Sequence, residues 1–88
     1  MKFQGQVVIV TGAARGIGLA AARLFAREGA YVYINDLEPG AVQAAVAQVR
    51  LDCGGHAAVE GLAADAADES AVRGAVAAVV AVHGRIDV

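Results

Sequence analysis

The stretch Thr11-Gly12-Ala13-Ala14-Arg15-Gly16-Ile17-Gly18 sets three glycines in the order Gly-x-x-x-Gly-x-Gly, and a loop of that kind can hold a diphosphate. Amide groups at the start of a helix lack partners and carry partial positive charge, so an anion is held there if the backbone can come close. Gly12 is expected to permit the tight turn, Gly16 to remove a side chain where phosphate would sit, and Gly18 to let the helix approach the strand. Glycine clusters also serve plain turns and helix packing, so position decides. The second member of the constellation is Asp36, eighteen positions after Gly18, near the spacing of about 20 at which a carboxylate meets a ribose diol. The spacing is neither G-x-G-x-x-G nor the phosphate loop G-x-x-x-x-G-K-[ST], since no Lys-Ser or Lys-Thr pair follows.

The other reactive side chains do not assemble into chemistry. Cys53 is the single cysteine, which rules out an intrachain disulfide and agrees with a reducing, cytoplasmic setting; it reads as a small apolar helix residue. Cys53 with His56 has too few partners for a tetrahedral metal site, so no metal is expected. His56 and His83 fall at a strand start and a helix end, where surface placement or the helix carbonyl end accounts for them. Neither has a nucleophile paired with it. Tyr31 and Tyr33 fall in a strand, have no lysine four residues on, and read as packing residues.

These groups need elements to position them. Gln6 to Thr11 (QVVIVT) is a β-branched run closed by glycine, the pattern of a strand buried on both faces. From Gly16 to Glu28 the apolar residues Ile17, Ala20, Ala21, Leu24 and Phe25 recur at helical spacing, and Gly29 supplies the stop. Tyr31 to Asp36 (YVYIND) is a second strand, ending on the acidic residue. Pro39 opens a second helix whose stripe is Val42, Ala45, Val46, Val49 and Cys53, broken by Gly54-Gly55. His56 to Ala63 is a third strand interrupted by Gly61. Asp68 caps a third helix with Val72, Ala75, Val76, Val79 and Val80 on one face, ended by Gly84. Arg85-Ile86-Asp87-Val88 starts a further apolar segment.

Three alternations of strand and helix with short connections call for parallel strands, right-handed crossovers and helices on the sheet faces. The fold class expected is α/β, the N-terminal half of a doubly wound parallel sheet ordered β-α-β-α-β-α with the start of a fourth strand. Eighty-eight residues fit one domain, with no second domain, repeat or linker. A hydrophobic fraction of 58 %, much of it alanine, with four aromatic residues, makes a shallow core. A net charge of −2 with scattered basic residues argues against nucleic-acid binding. The longest late apolar stretch, Ala75 to Val82, is too short to span a bilayer, so no membrane is expected.

With these residues in view, the chain resembles the classical short-chain dehydrogenases/reductases, whose glycine motif is Thr-Gly-x-x-x-Gly-x-Gly; Thr11 to Gly18 matches every fixed position. The resemblance runs on through Asp36, Asp65 and the segment Gly84 to Val88. It implies a Rossmann-type fold and a nicotinamide dinucleotide cofactor bound by Gly12, Arg15, Gly16, Ile17, Gly18, Asp36, Leu37, Asp65 and Ala66. In the family the backbone around Arg15 to Ile17 meets the pyrophosphate and Thr11 braces the loop. Asp36 accepts from both adenosine-ribose hydroxyls and repels a 2′-phosphate. NAD is therefore implied over NADP, although Arg15 is a residue type that contacts a 2′-phosphate. Asp65 is matched to the aspartate that meets the adenine amino group, with the Ala66 backbone alongside, where alanine departs from the usual valine or leucine.

The family moves hydride between the cofactor and an alcohol or ketone using a tyrosine, lysine, serine and asparagine. No Tyr-x-x-x-Lys or Asn-Asn-Ala-Gly stands in this sequence, so no catalytic residue is named and the chain alone is expected to be inactive. The expectation is an N-terminal part of such an enzyme, truncated at the start of the fourth strand, its parent a homo-oligomer. The alternative is a complete non-catalytic dinucleotide-binding module or a decayed gene product. The short sheet is further expected to leave the edge of the first strand poorly covered, giving a loosely packed or self-associating species.

Overall fold

β-Branched and aromatic residues stiffen Val7–Thr11 (β1) and Tyr31–Asp36 (β2) into extended chain. Together with Val59–Ala63 (β3) they form a parallel sheet in the order β1-β2-β3. Val7 lies opposite Tyr31 and Val32 opposite Val59. The computed structural model describes residues 3–55, 58–84 and 86–87.

Strand alternation divides the core in two. Val8, Val32, Ile34 and Val59 face α1 (Gly16–Arg27) and α2 (Pro39–Asp52), while Val7, Tyr31, Tyr33 and Leu62 face Val79 of α3 (Glu69–His83). Helices on both faces explain why the strands carry apolar residues on consecutive positions rather than every second one. This is the doubly wound, parallel β-α-β-α-β-α arrangement expected.

α2 buries the stripe read from its sequence: Val42, Ala45, Val46 and Val49 are inside. Cys53 is half-buried and sits at the helix C-cap, one position beyond the helix in which it was expected. Gly61 does not weaken β3. A Cβ there would come within 2.5 Å of Val42 Cγ1, so its absence is what brings α2 down onto the strand.

α1 departs from its expected face. Ala22 and Ala26 are buried, whereas Ile17 is 90 % and Leu24 58 % exposed. In an alanine-rich helix the apolar residues mark more than one stripe, and the small-residue side is the one that packs tightly over neighbouring strands. Of the five residues expected inward, only Ala21 and Phe25 are partly buried. Phe25 packs edge-on against Phe3, ring centroids 5.0 Å apart. In α3 only Val79 is buried, and Val72, Val76 and Val80 are between 37 % and 41 % exposed. Asp68 caps that helix as expected, accepting from the Ala71 amide at 3.2 Å, and Gly84 closes it in the left-handed conformation.

β1 begins one residue later than expected, at Val7: Gln6 N–H donates back to the Phe3 carbonyl at 3.0 Å, closing the turn over residues 3–5, although the Gln6 carbonyl accepts from Tyr31 N–H at 2.8 Å. β3 begins at Val59; His56 and Ala57, expected at its start, lie outside the described residues. So do Arg85 and Val88 of the expected fourth segment. Asp87 runs beside the outer edge of β1: its N–H donates to the Val7 carbonyl at 2.8 Å, and its Oδ2 accepts from Val7 N–H at 2.8 Å. Among the described residues no helix is long and apolar enough to cross a membrane.

Candidate functional site

The carboxyl ends of β1, β2 and β3 come together at one end of the sheet, and every candidate residue sits there, in the loop that follows or in the first turn of α1. β1 ends at Thr11, which is exposed and lines an apolar hollow beneath α3 with Ile9, Asn35 and Leu62. The chain turns through Gly12 at φ +62° and enters α1 at Gly16 with φ +60°. A Cβ at Gly16 would meet nothing, so an open approach lies over the start of the helix. Gly18 is different: a Cβ there would collide with the backbone of Gly12 and Ala13. The close approach that Gly18 allows is thus between α1 and its own loop, rather than between α1 and the strand as expected.

Arg15 stands at the N-cap in an extended conformation, its side chain makes no capping bond, and the first turn of α1 holds no acidic residue. The positive end of this helix is therefore not compensated locally by a carboxylate of its own first turn. Ile17 stands fully outward at the rim.

β2 ends in two side chains with opposite tasks. Asn35 is buried and its amide donates to the Leu62 carbonyl at 2.8 Å and the Ala64 carbonyl at 3.3 Å, holding the exit of β3. Asp36 turns the other way: Oδ1 accepts from Leu37 N–H at 2.8 Å and Oδ2 from Ala14 N–H at 3.1 Å. The Leu37 amide, then the Ala14 amide, then the Arg15 guanidinium hold the Asp36 carboxyl below the ordinary aspartate range, against an opposing effect of desolvation. Leu37 is exposed beside it.

The third arm is the β3–α3 turn. Asp65 Oδ1 accepts from Ala67 N–H at 2.9 Å and its carbonyl accepts from Asp68 N–H at 3.0 Å, so Asp65 and Ala66 form a tight exposed turn. Ala64 N–H donates to the Asp36 carbonyl at 3.0 Å, tying this turn to β2.

The tyrosines lie elsewhere. Tyr31 and Tyr33 stack with centroids 5.4 Å apart on the α3 face, Tyr31 OH donates to Glu60 Oε1 at 3.2 Å, and Tyr33 OH is 2.9 Å from His83 Nε2. Burial first, and then the charge of Glu60, push both phenols above the ordinary tyrosine value. They are packing residues, as read. His83 is not a plain surface histidine, however, because the Tyr33 hydroxyl engages its ring. Sequence reasoning missed Asn35 and His83; their partners lie 27 and 50 positions away, beyond any local pattern. No group of three metal-ligating side chains exists among the described residues.

Known proteins carry the same arrangement. Solved structures that superimpose on the chain include an NAD+-bound xylitol dehydrogenase, with TM-score 0.88 and 39 % identity, covering 99 % of this chain and 32 % of that one. A metagenomic short-chain oxidoreductase in complex with NADP superimposes with TM-score 0.89 and 33 % identity, over 100 % of this chain and 38 % of the other. D-threitol dehydrogenase of Mycolicibacterium smegmatis is 42 % identical over 87 residues, 99 % of this chain and 32 % of that protein. Cyclopentanol dehydrogenase of Comamonas testosteroni is 42 % identical over 86 residues, 98 % of this chain and 33 % of the relative. The chain thus spans about one third of the length of the curated relatives it matches. The sequence model described as short chain dehydrogenase covers residues 6–88, and with the glycine loop, the acidic end of β2 and the parallel sheet in place, the chain belongs to the short-chain dehydrogenase family of oxidoreductases.

Proposed function

We propose that the chain forms the adenosine-diphosphate side of a nicotinamide dinucleotide site, selective for NAD(H), in an oxidoreductase that moves hydride between that cofactor and an alcohol or ketone. The observation that carries the reading is the Asp36 carboxylate, fixed at the end of β2 beside the uncapped start of α1. The residues fit the group. The open space over Gly16 and the helix amides of Gly16, Ile17 and Gly18 suit a diphosphate, with Gly12 making the turn and Arg15 at its rim. Asp36 retains lone pairs for a ribose diol and would set a negative charge against a 2′-phosphate, with Leu37 beside the ring. On this reading the exposed turn of Asp65 and Ala66 after β3 would meet the adenine.

The nicotinamide, when bound, supplies the carbon that gives or takes the hydride. What these 88 residues contribute is binding and orientation. Tyr31 and Tyr33 face α3, and their raised pKa values are the reverse of what proton transfer at neutral pH asks of a phenol. On this reading the chain alone turns nothing over, and the catalytic set belongs to a longer homo-oligomeric protein of the cytoplasm, in keeping with the free Cys53. The cofactor relatives of known structure carry NAD+ in one case and NADP in another; Asp36 is what favours NAD here.

The test is kcat/KM of the longer protein with NAD+ and NADP+ on a secondary alcohol, beside an assay of the 88-residue chain. A preference for NAD+ that falls on Asp36→Ala, with no turnover by the chain, supports the proposal. A preference for NADP+ would mean that Arg15 outweighs Asp36.

A further inference from the structure

Two successive amides of the β1–α1 loop are tied to the end of β2. Ala13 N–H donates to the Asn35 carbonyl at 3.0 Å, and Ala14 N–H donates to Asp36 Oδ2 at 3.1 Å. Because Asp36 Oδ1 takes the Leu37 amide at 2.8 Å, each carboxylate oxygen holds one backbone group and keeps another lone pair free. Ala14 lies between the two left-handed glycines, Gly12 at φ +62° and Gly16 at φ +60°. Glycines there make the turn feasible but enlarge the set of conformations the free loop can visit, so something must hold it. The next residue, Arg15, is the N-cap from which α1 departs. The direction of the first α1 amides is thus set one residue after the Asp36 contact.

We propose that Asp36 is a positioning residue for the glycine loop: by holding Ala14 it fixes the direction of the α1 amides before any ligand arrives, in addition to meeting a ribose. Its consequence for cofactor binding rests on the function proposed above, while the contact itself is a property of the ligand-free chain. The lowered pKa of Asp36 agrees, since an amide donor stabilises the ionised carboxylate.

The two roles make opposite predictions for a ligand without ribose. A carboxylate that acted only on ribose would repel inorganic pyrophosphate, and its removal would tighten pyrophosphate binding. A carboxylate that orders the loop does the reverse.

The experiment uses the full chain, with amide hydrogen exchange and pyrophosphate titration followed by nitrogen-15 NMR. Asp36→Ala is expected to speed exchange at Ala14 by about tenfold or more, the scale of a lost bond to a charged acceptor, and to weaken pyrophosphate binding about fivefold. Asp36→Asn, which keeps one acceptor oxygen for two amides, should fall between. Unchanged Ala14 exchange, or pyrophosphate binding equal or tighter in Asp36→Ala, overturns the inference. A measurement without variants stands beside these: in the unmodified, ligand-free chain the Ala14 amide proton resonance should follow the acid titration of Asp36 together with that of Leu37. A Leu37 resonance that titrates while Ala14 stays still would also overturn it. If Ala14 titrates but NAD+ and NADP+ bind equally, the ribose reading fails and the loop contact stands.

Discussion

The Tyr33 hydroxyl and the His83 ring, 50 positions apart in sequence, lie 2.9 Å apart and pin the last turn of α3 to the middle of β2. The ring of Tyr31 adds an edge contact to the same imidazole, with centroids 4.3 Å apart. This joint matters because the rest of α3 is lightly held, Val79 being its one buried residue. Tyr33→Phe removes the hydrogen bond and keeps the ring; the expected loss is about 1 kcal/mol. His83→Ala removes ring contact as well and should cost about 1 to 2 kcal/mol. Urea titration followed by circular dichroism measures both, and an unchanged midpoint for both variants would show that α3 is held by other means.

Asn35 is the buried polar residue on which the β3 exit depends. Asn35→Leu fills similar volume but leaves the Leu62 and Ala64 carbonyls without that donor, at a cost of about 1 to 3 kcal/mol. Hydrogen exchange at Ala67 and Asp68, whose amides close the adjoining turn onto Asp65, should accelerate in the variant. Exchange unaltered in that turn would argue that it is shaped without Asn35.

Acid sensitivity follows from Asp36. Its folded pKa lies below the unfolded one, so its contribution to stability is fully present above the unfolded value and is lost as pH falls through the folded value. Stability of the native chain should therefore drop across the acid limb, and Asp36→Asn should have a shallower slope there. Parallel unfolding curves, taken at several pH values from about 3 to 6, decide it. Identical slopes in the two proteins would remove Asp36 from the account.

Gly18→Ala tests the loop from its other side. The new methyl would meet the Gly12 and Ala13 backbone, which has no flexible end to move aside. The expected cost is about 1 to 3 kcal/mol, with weaker dinucleotide binding because α1 must shift away from the loop. Wild-type stability and affinity in this variant would mean that the loop has room to spare.

Much of this was legible in the sequence where one local cause dominated. The span of β2 was readable because aromatic and β-branched residues stop at an acidic end, and the inner face of α2 because its valines form a single stripe. The glycine spacing and Asp36 marked one end of the sheet before any fold was known. α1 was misread because its alanines permit two faces, and the choice between them belongs to the strands beneath: Ala22 and Ala26 go inward, Ile17 and Leu24 outward. Gly61 read as an interruption because its reason, Val42 of α2, lies on another element. Asn35, His83 and the Ala14 amide act through partners fixed only by tertiary contact, which no spacing rule contains.

Whether the ends of β1, β2 and β3 form the adenosine side of an NAD-selective site is decided by amide shift mapping of the nitrogen-15 chain with ADP-ribose and its 2′-phosphorylated form. ADP-ribose is expected to move the resonances of Gly12, Arg15 to Gly18, Asp36, Leu37, Asp65 and Ala66, the 2′-phosphorylated ligand to bind more weakly, and Asp36→Ala to narrow the difference. Shifts gathered on another surface, or tighter binding of the 2′-phosphorylated ligand to the unmodified chain, would contradict it.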